Sequence, residues 1–320
     1  MENGSFSAAE LPLREGRIYH LDLLPEELAS HVIVVGDPDR VPFFAGEFLE
    51  QIEIDRNHRG FRTITGFAPE AGQRVTITTS GIGAPSMEIV LNELVALNEF
   101  DFSTRKRKES FEPLTVVRIG TCGGLQPETD LGTLIVTDYG IGLENTGLFY
   151  EAAAPDEECR RLERRVRSAI DEGVVEDARF RGRIFPYAVR ADSRVRVALE
   201  REALHLGVPC KRGVTVTSSG FFAEQGRAVA HITPTVTDLV ERLAAVDTGF
   251  AGLKIENMEM EASILLHILG AIGYRAGVIC VVINNKNEGT FRVEYRDSLR
   301  DAARIVLRSF RALQPWILEQ

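Results

Sequence analysis

The residues best suited to do chemistry meet at Arg118-Ile119-Gly120-Thr121-Cys122-Gly123-Gly124. A guanidinium is costly to bury unless an anion pairs with it, yet Arg118 interrupts the apolar, β-branched run Val116, Val117, Ile119. The glycines that follow let a backbone turn sharply and let a ligand approach it. In open α/β sheets, ligands bind beyond the carboxyl ends of strands. Arg118 and Thr121 are therefore placed to hold an anion. An arginine paired with an internal carboxylate, beside an ordinary glycine turn, is the alternative.

Five further stretches carry the same kind of signal. Gly36-Asp37-Pro38-Asp39-Arg40 follows a short apolar run. Asp37 or Asp39 can cap a helix there. Arg40 then sits at a helix N-terminus, where the dipole disfavours a cation unless an anion is also bound. Asn57-His58-Arg59-Gly60 places another arginine in a turn, and Ser80 to Ser86 is a second glycine-rich strand end. Phe221-Phe222-Ala223-Glu224-Gln225-Gly226-Arg227 joins aromatics to an amide and a guanidinium, which suits a flat heterocycle that is stacked and hydrogen-bonded at its edge. A core phenylalanine pair with polar surface neighbours explains the same letters. In Glu256-Asn257-Met258-Glu259-Met260-Glu261-Ala262, Glu259 and Glu261 cannot both face the core side of the following helix. A carboxylate is a natural acceptor for a pair of ribose hydroxyls.

The elements that must position these residues alternate. Strands are predicted over 31–35, 51–55, 60–67, 74–79, 115–119, 131–137, 184–189, 213–218 and 275–284. Helices are predicted over 87–98, 155–173, 193–206, 264–272 and 292–318, with a short helical segment at 25–29. The run 101–110, with its basic Arg105-Lys106-Arg107-Lys108, reads as a solvated loop. This alternation predicts one α/β domain with a mixed central sheet flanked by helices, over 17–320, preceded by a mobile tail over 1–16.

Composition narrows the classes. The 320 residues are 44% hydrophobic, with a net charge of −10 and a pI near 5.3. An acidic chain argues against nucleic-acid binding. Five lysines stand beside thirty-two arginines. The four cysteines are widely spaced and lack metal-ligand spacing, so reduced thiols are expected. Cys122 has no histidine close in sequence to activate it. The first residues show no signal-peptide pattern, and no apolar run nears the roughly 20 residues of a membrane span. A soluble cytoplasmic protein is expected. No GxGxxG fingerprint is present, which disfavours a dinucleotide-dependent oxidoreductase.

Taken in order, GDPDR (36–40), HRGF (58–61), TSGIGAPS (79–86), RIGTCGG (118–124), FFAEQGR (221–227) and NMEMEA (257–262) resemble the nucleoside phosphorylase-I family, in its uridine phosphorylase branch. The resemblance implies phosphorolysis of a nucleoside to a free base and ribose 1-phosphate, with phosphate as co-substrate and no cofactor or metal. It implies that Gly36, Arg40, Arg118 and Thr121 bind phosphate, with Arg59 reaching a neighbouring subunit's phosphate. His20 would reach the neighbouring ribose, and Glu259, Met260 and Glu261 the ribose of their own chain. Phe221 would stack on the base, Gln225 and Arg227 would bond its edge, and Cys122 and Gly123 would lie beside it. Arg118, Glu261 and Arg227 would carry catalysis. A homodimer or homohexamer with shared sites follows from the borrowed residues.

There are two departures. Pyrimidine-specific relatives often carry arginine where this chain has Asn285, an amide that can also read a purine. Gly60 replaces a glutamate that holds a monovalent cation in some relatives. A purine nucleoside phosphorylase and a nucleoside hydrolase are the neighbouring alternatives. A non-enzymatic nucleoside-binding protein is the alternative of a different class.

Overall fold

The structure is a computed structural model and describes residues 5–286 and 288–314. Eleven strands form one mixed sheet. In chain order they are β1 (His31–Val35), β2 (Glu50–His58), β3 (Phe61–Ala68), β4 (Gln73–Thr79), β5 (Thr115–Gly124), β6 (Leu134–Gly142), β7 (Tyr187–Arg190), β8 (Cys210–Thr217), β9 (Ile255–Glu259), β10 (Arg275–Asn285) and β11 (Thr290–Phe291). Their order is β11-β10-β6-β8-β9-β5-β1-β4-β3-β2, with β7 on β6. A further pairing of β10 with β5 closes β5, β10, β6, β8 and β9 into a ring.

Strands inside this sheet are apolar on both faces because helices cover both. In β1, Val32 and Val34 pack with α2 (Ala84–Glu99) and α6 (Ala262–Ala271), while Ile33 and Val35 pack with α1 (Arg40–Phe48) and α7 (Arg296–Ala312). A third core lies under α3 (Glu157–Gly173) and α5 (Leu239–Ala245), against β8 and β9. α4 (Ser193–Leu206) covers the sheet beside α7. Its bounds follow from local chemistry. Asp192 accepts the amides of Arg194 and Val195, and Gly207 closes the helix in the left-handed region at φ 65°.

The predicted single α/β domain with a mixed sheet is the observed architecture. Several elements differ in detail. The glycine run after Ile119 is not a turn: β5 continues to Gly124, pairing with β10 on one side and β9 on the other. Its glycines serve close approach. A Cβ on Gly120 would overlap the Arg118 guanidinium, and one on Gly123 would press on the Asn284 amide. Residues 255–259, read as the entry to a helix, form β9. α5 was not foreseen. The loop 101–110 contains a small hairpin, Phe100–Asp101 with Lys106–Arg107. Residues 5–14, expected as part of a mobile tail, lie against that hairpin; Phe6 packs edge-on to Phe100 at 4.9 Å and Leu11 is buried. The closing helix spans 296–312, and the predicted extension to Leu318 lies outside the described residues. Among the described residues no helix is long and apolar enough to cross a membrane.

Candidate active site

The carboxyl ends of β1, β4, β5, β8, β9 and β10 open on one cavity of about 620 Å³. Gly36, Arg40, Arg59, Arg118, Thr121, Cys122, Gly123, Phe221, Gln225, Glu259, Met260 and Glu261 all line it. Six separate sequence motifs thus meet in one place, as ligand sites at strand ends do.

Arg118 is the centre of the polar floor. It is buried and bonded to Glu261, with Glu259 3.3 Å away. Burial pulls its pKa down, but the two carboxylates outweigh that and hold it above the ordinary arginine range. Its Nε is buried with no partner among the described residues, so a donor is left over. The sequence reading offered either an internal ion pair or an anion site; Arg118 forms the internal pair and lines the cavity as well.

The two glutamates differ in support. Glu259 ends β9 and accepts the Thr217 hydroxyl at 2.6 Å and the amides of Glu261 and Ala262. Burial raises its pKa, against the pull of Arg118. Glu261 precedes α6 and accepts the Gly83 amide at 2.5 Å. Gly83 has φ 91°, a conformation that favours glycine. This is how the TSGIGAPS loop reaches the site. Thr217 and Gly83 were not assigned roles from sequence; the available signal was that Thr217 closes β8 and Gly83 lies in the loop after β4.

Arg40 is the first residue of α1 and lines the cavity, with only a 3.5 Å contact to the Tyr295 hydroxyl and Asp37 3.8 Å away. The expected side-chain cap is absent: Asp37 instead accepts the Asp39 amide at 3.0 Å. Arg59 has φ 53° and lies over the Tyr19 ring. It lines the cavity of its own chain.

On the opposite wall, Gln225 donates to the Ser218 hydroxyl at 2.9 Å and accepts from Arg227 at 2.6 Å. The Arg227 guanidinium stacks 3.9 Å from the centre of the Phe221 ring. Arg227 is not among the residues lining the cavity. It stands beside Gln225 and covers one face of Phe221.

His20 is not brought to this cavity. Its Nδ1 lies 2.7 Å from Glu93, whose carboxylate also accepts the amides of His20 and Leu21. Asn285 is corrected as a base reader: its amide donates to the carbonyls of Gln126 and Thr129 and is buried. Asn284, one residue earlier, lines the cavity instead. Among the described residues no group of three or more His, Cys, Asp and Glu side chains is placed to hold a metal ion. Cys122 is buried with its pKa pushed up by that burial, which opposes a thiolate role.

Residues 30–311 match the family model of the phosphorylase superfamily. A uridine phosphorylase of Thermococcus kodakarensis is 28% identical over 314 residues, covering 97% of this chain and 92% of the relative. The Escherichia coli uridine phosphorylase is 28% identical over 280 residues, covering 85% and 87%. A DeoD-type purine nucleoside phosphorylase of Roseobacter denitrificans is 35% identical, but over 134 residues, 41% of this chain and 51% of the relative. Among solved structures, a Trypanosoma brucei nucleoside phosphorylase described as showing uridine phosphorylase activity superposes with a TM-score of 0.86 at 28% identity, covering 94% of this chain and 99% of that one.

Proposed function

The chain belongs to the phosphorylase superfamily, and within it we propose that it catalyses the reversible phosphorolysis of uridine to uracil and ribose 1-phosphate. The observation that carries this is the shared cavity: Arg40, Arg59, Arg118 and Thr121 line the space that Met260, Glu261, Phe221 and Gln225 also line. Uridine phosphorylases that span nearly the whole chain support the choice of base.

The chemistry follows from charge. Breaking the C1′–N1 bond leaves positive charge on the ribose and negative charge on the base. An enzyme that is complementary to these charges lowers the barrier. Phosphate would sit among Arg40, Arg118, Thr121 and the Gly36 end of β1, close to C1′, with Arg59 supplied by a partner subunit. Glu261 would accept ribose hydroxyls, with Met260 against the sugar and Glu259 holding Glu261 and Arg118 in place. Gln225 offers both a donor and an acceptor to the uracil edge, and Arg227 polarises that edge. Phosphate supplies the nucleophile, so no covalent intermediate with the protein is required. The working unit would be a homo-oligomer, dimer or hexamer, in the cytoplasm, with His20 serving a partner's ribose.

The test is uracil release from uridine with and without phosphate. Release that requires phosphate and yields ribose 1-phosphate is expected. Equal rates in phosphate-free buffer would identify a hydrolase and overturn the proposal.

A further inference from the structure

Lys286 follows the last residue of β10, two positions after Asn284. Its ammonium nitrogen is buried, yet no hydrogen-bond partner or carboxylate within ion-pair distance meets it among the described residues. It rests against the turn that presents Gln225 and Arg227, with Nζ 3.6 Å from where a Cβ on Gly226 would stand. The neighbouring guanidinium of Arg227 makes no salt bridge among the described residues either; it donates to the Phe221 carbonyl and to Gln225. Two cations therefore flank the Gly226 turn, without a counter-ion in contact among the described residues, at the wall that carries Phe221 and Gln225. Such an arrangement is costly at rest, and the cost falls when negative charge develops nearby.

We infer that Lys286 is a positioning residue for base departure: with Arg227 it forms a two-cation seat that stabilises the negative charge of the leaving pyrimidine. This rests on the phosphorolysis proposed above. In that step a phosphate oxygen bonds to C1′ as the C1′–N1 bond breaks. The bonding pair goes to the base, which leaves as a monoanion and then takes a proton from water. Lys286 acts through Arg227 and Gln225, and its charge favours only the state in which the base is negative. This is the differential stabilisation that raises a rate, as opposed to uniform binding.

The charged groups facing Lys286 set its working range. Burial lowers its pKa to about 8, Arg227 pushes in the same direction, and Glu241 of α5 pulls back. The ammonium is therefore present at neutral pH and lost on the alkaline side.

The experiment compares native protein with Lys286→Met, which keeps the length and removes the charge. For uridine, kcat/KM should fall about tenfold. For 5-fluorouridine, whose base is the more stable anion, it should fall less than about threefold. The KM for phosphate should not change. The native kcat/KM should decline as pH rises through about 8, and Lys286→Met should show no such decline. Because Nζ has no partner, thermal stability should be equal or higher. Equal losses with both nucleosides, or an unchanged pH profile, would overturn the inference and leave the phosphorolysis reading standing. Absence of phosphate-dependent cleavage in the native protein would overturn both.

Discussion

Two cavities of the same volume, about 620 Å³, lie at opposite ends of β8 and β9. One is the candidate active site at the carboxyl ends. The other, at the amino ends, is lined by Glu128, Glu200, Lys211, Arg212, Lys254 and Glu256 among others. Both hold arginine or lysine together with glutamate. In the second cavity the charges answer each other: Lys254 meets Glu128 at 2.5 Å, Arg212 meets Asp138 at 2.7 Å, and Glu256 accepts the Thr129 hydroxyl at 2.9 Å. In the first, Arg118 keeps an unpartnered Nε, and Arg40 has only distant partners. Arg59 has the Tyr19 hydroxyl at 3.4 Å. Volume does not separate a site from a surface hollow here. Cationic donors left without a close partner among the described residues, Arg118 Nε and Arg40, do.

The largest expected effect comes from removing Arg118, at the centre of the first cavity's polar floor. Arg118→Ala deletes charge-assisted bonds of roughly 1.5–3 kcal/mol each, so uridine phosphorolysis should fall at least about tenfold. It also strands Glu259 and Glu261 as buried carboxylates, which costs about 3–5 kcal/mol where a buried pair is broken. A lower melting temperature should accompany the lost activity. Full activity in Arg118→Ala would make the strand-end arginine purely structural and erase the contrast between the cavities.

Much of this site was legible because strand ends carry distinctive letters. The β-branched run His31–Val35 and the span 193–206 of α4 are readable from local rules. The glycine run 120–124 was not, because a glycine that lets a guanidinium or amide pack closely looks, in sequence, like a glycine that turns. β9 was missed for a related reason. Its carboxylates disfavour a buried strand until Thr217 and Arg118 are brought in from distant segments and the chain turns to aim the Glu261 and Ala262 amides at Glu259. Asn285 was misread because the carbonyls that occupy it belong to Gln126 and Thr129, more than 150 positions away.

A second prediction sharpens where Arg59 acts. It lines the cavity of its own chain, whereas the sequence resemblance assigns it to a partner's phosphate. Mixing Arg59→Ala with Arg118→Ala separates the two. If Arg59 serves the partner, a mixed dimer regains one intact site and activity rises above that of either variant. If it serves its own chain, every site in the mixture lacks one arginine and no recovery appears. Recovery after confirmed subunit exchange is the expected result.

A smaller effect concerns acid stability, which is set away from both cavities. His31 opens β1 with its ring 4.9 Å from Phe310. Burial, helped by the positive charge of Arg275, lowers its pKa to about 4. The unfolded chain binds a proton near pH 6.5, so between these values the unfolded state holds more protons. The contribution is complete above the unfolded pKa and is lost as pH falls toward 4, by up to about 2 kcal/mol between pH 6.5 and 5. Urea midpoints at pH 7.5 and 5 should differ less in His31→Leu than in the native protein. Equal differences would place the acid sensitivity in other groups.

The smallest effect tests the other half of the comparison. Lys254 and Glu128 form an ion pair in the second cavity with both side chains about half exposed. The glutamate pKa is lowered and the lysine pKa raised, in each case first by the hydrogen bond between them. An exposed pair gains little, because water screens it and two flexible side chains must be held. Lys254→Ala should therefore leave stability close to that of the native protein. It should also leave kcat/KM for uridine and for phosphate unchanged, since no charge there is left for a ligand to answer. A several-fold change in either constant, in a variant with native melting behaviour, would mean that the amino-end cavity communicates with the catalytic end through β8 and β9. Unpartnered cationic donors would then no longer be a sufficient criterion for telling the two cavities apart.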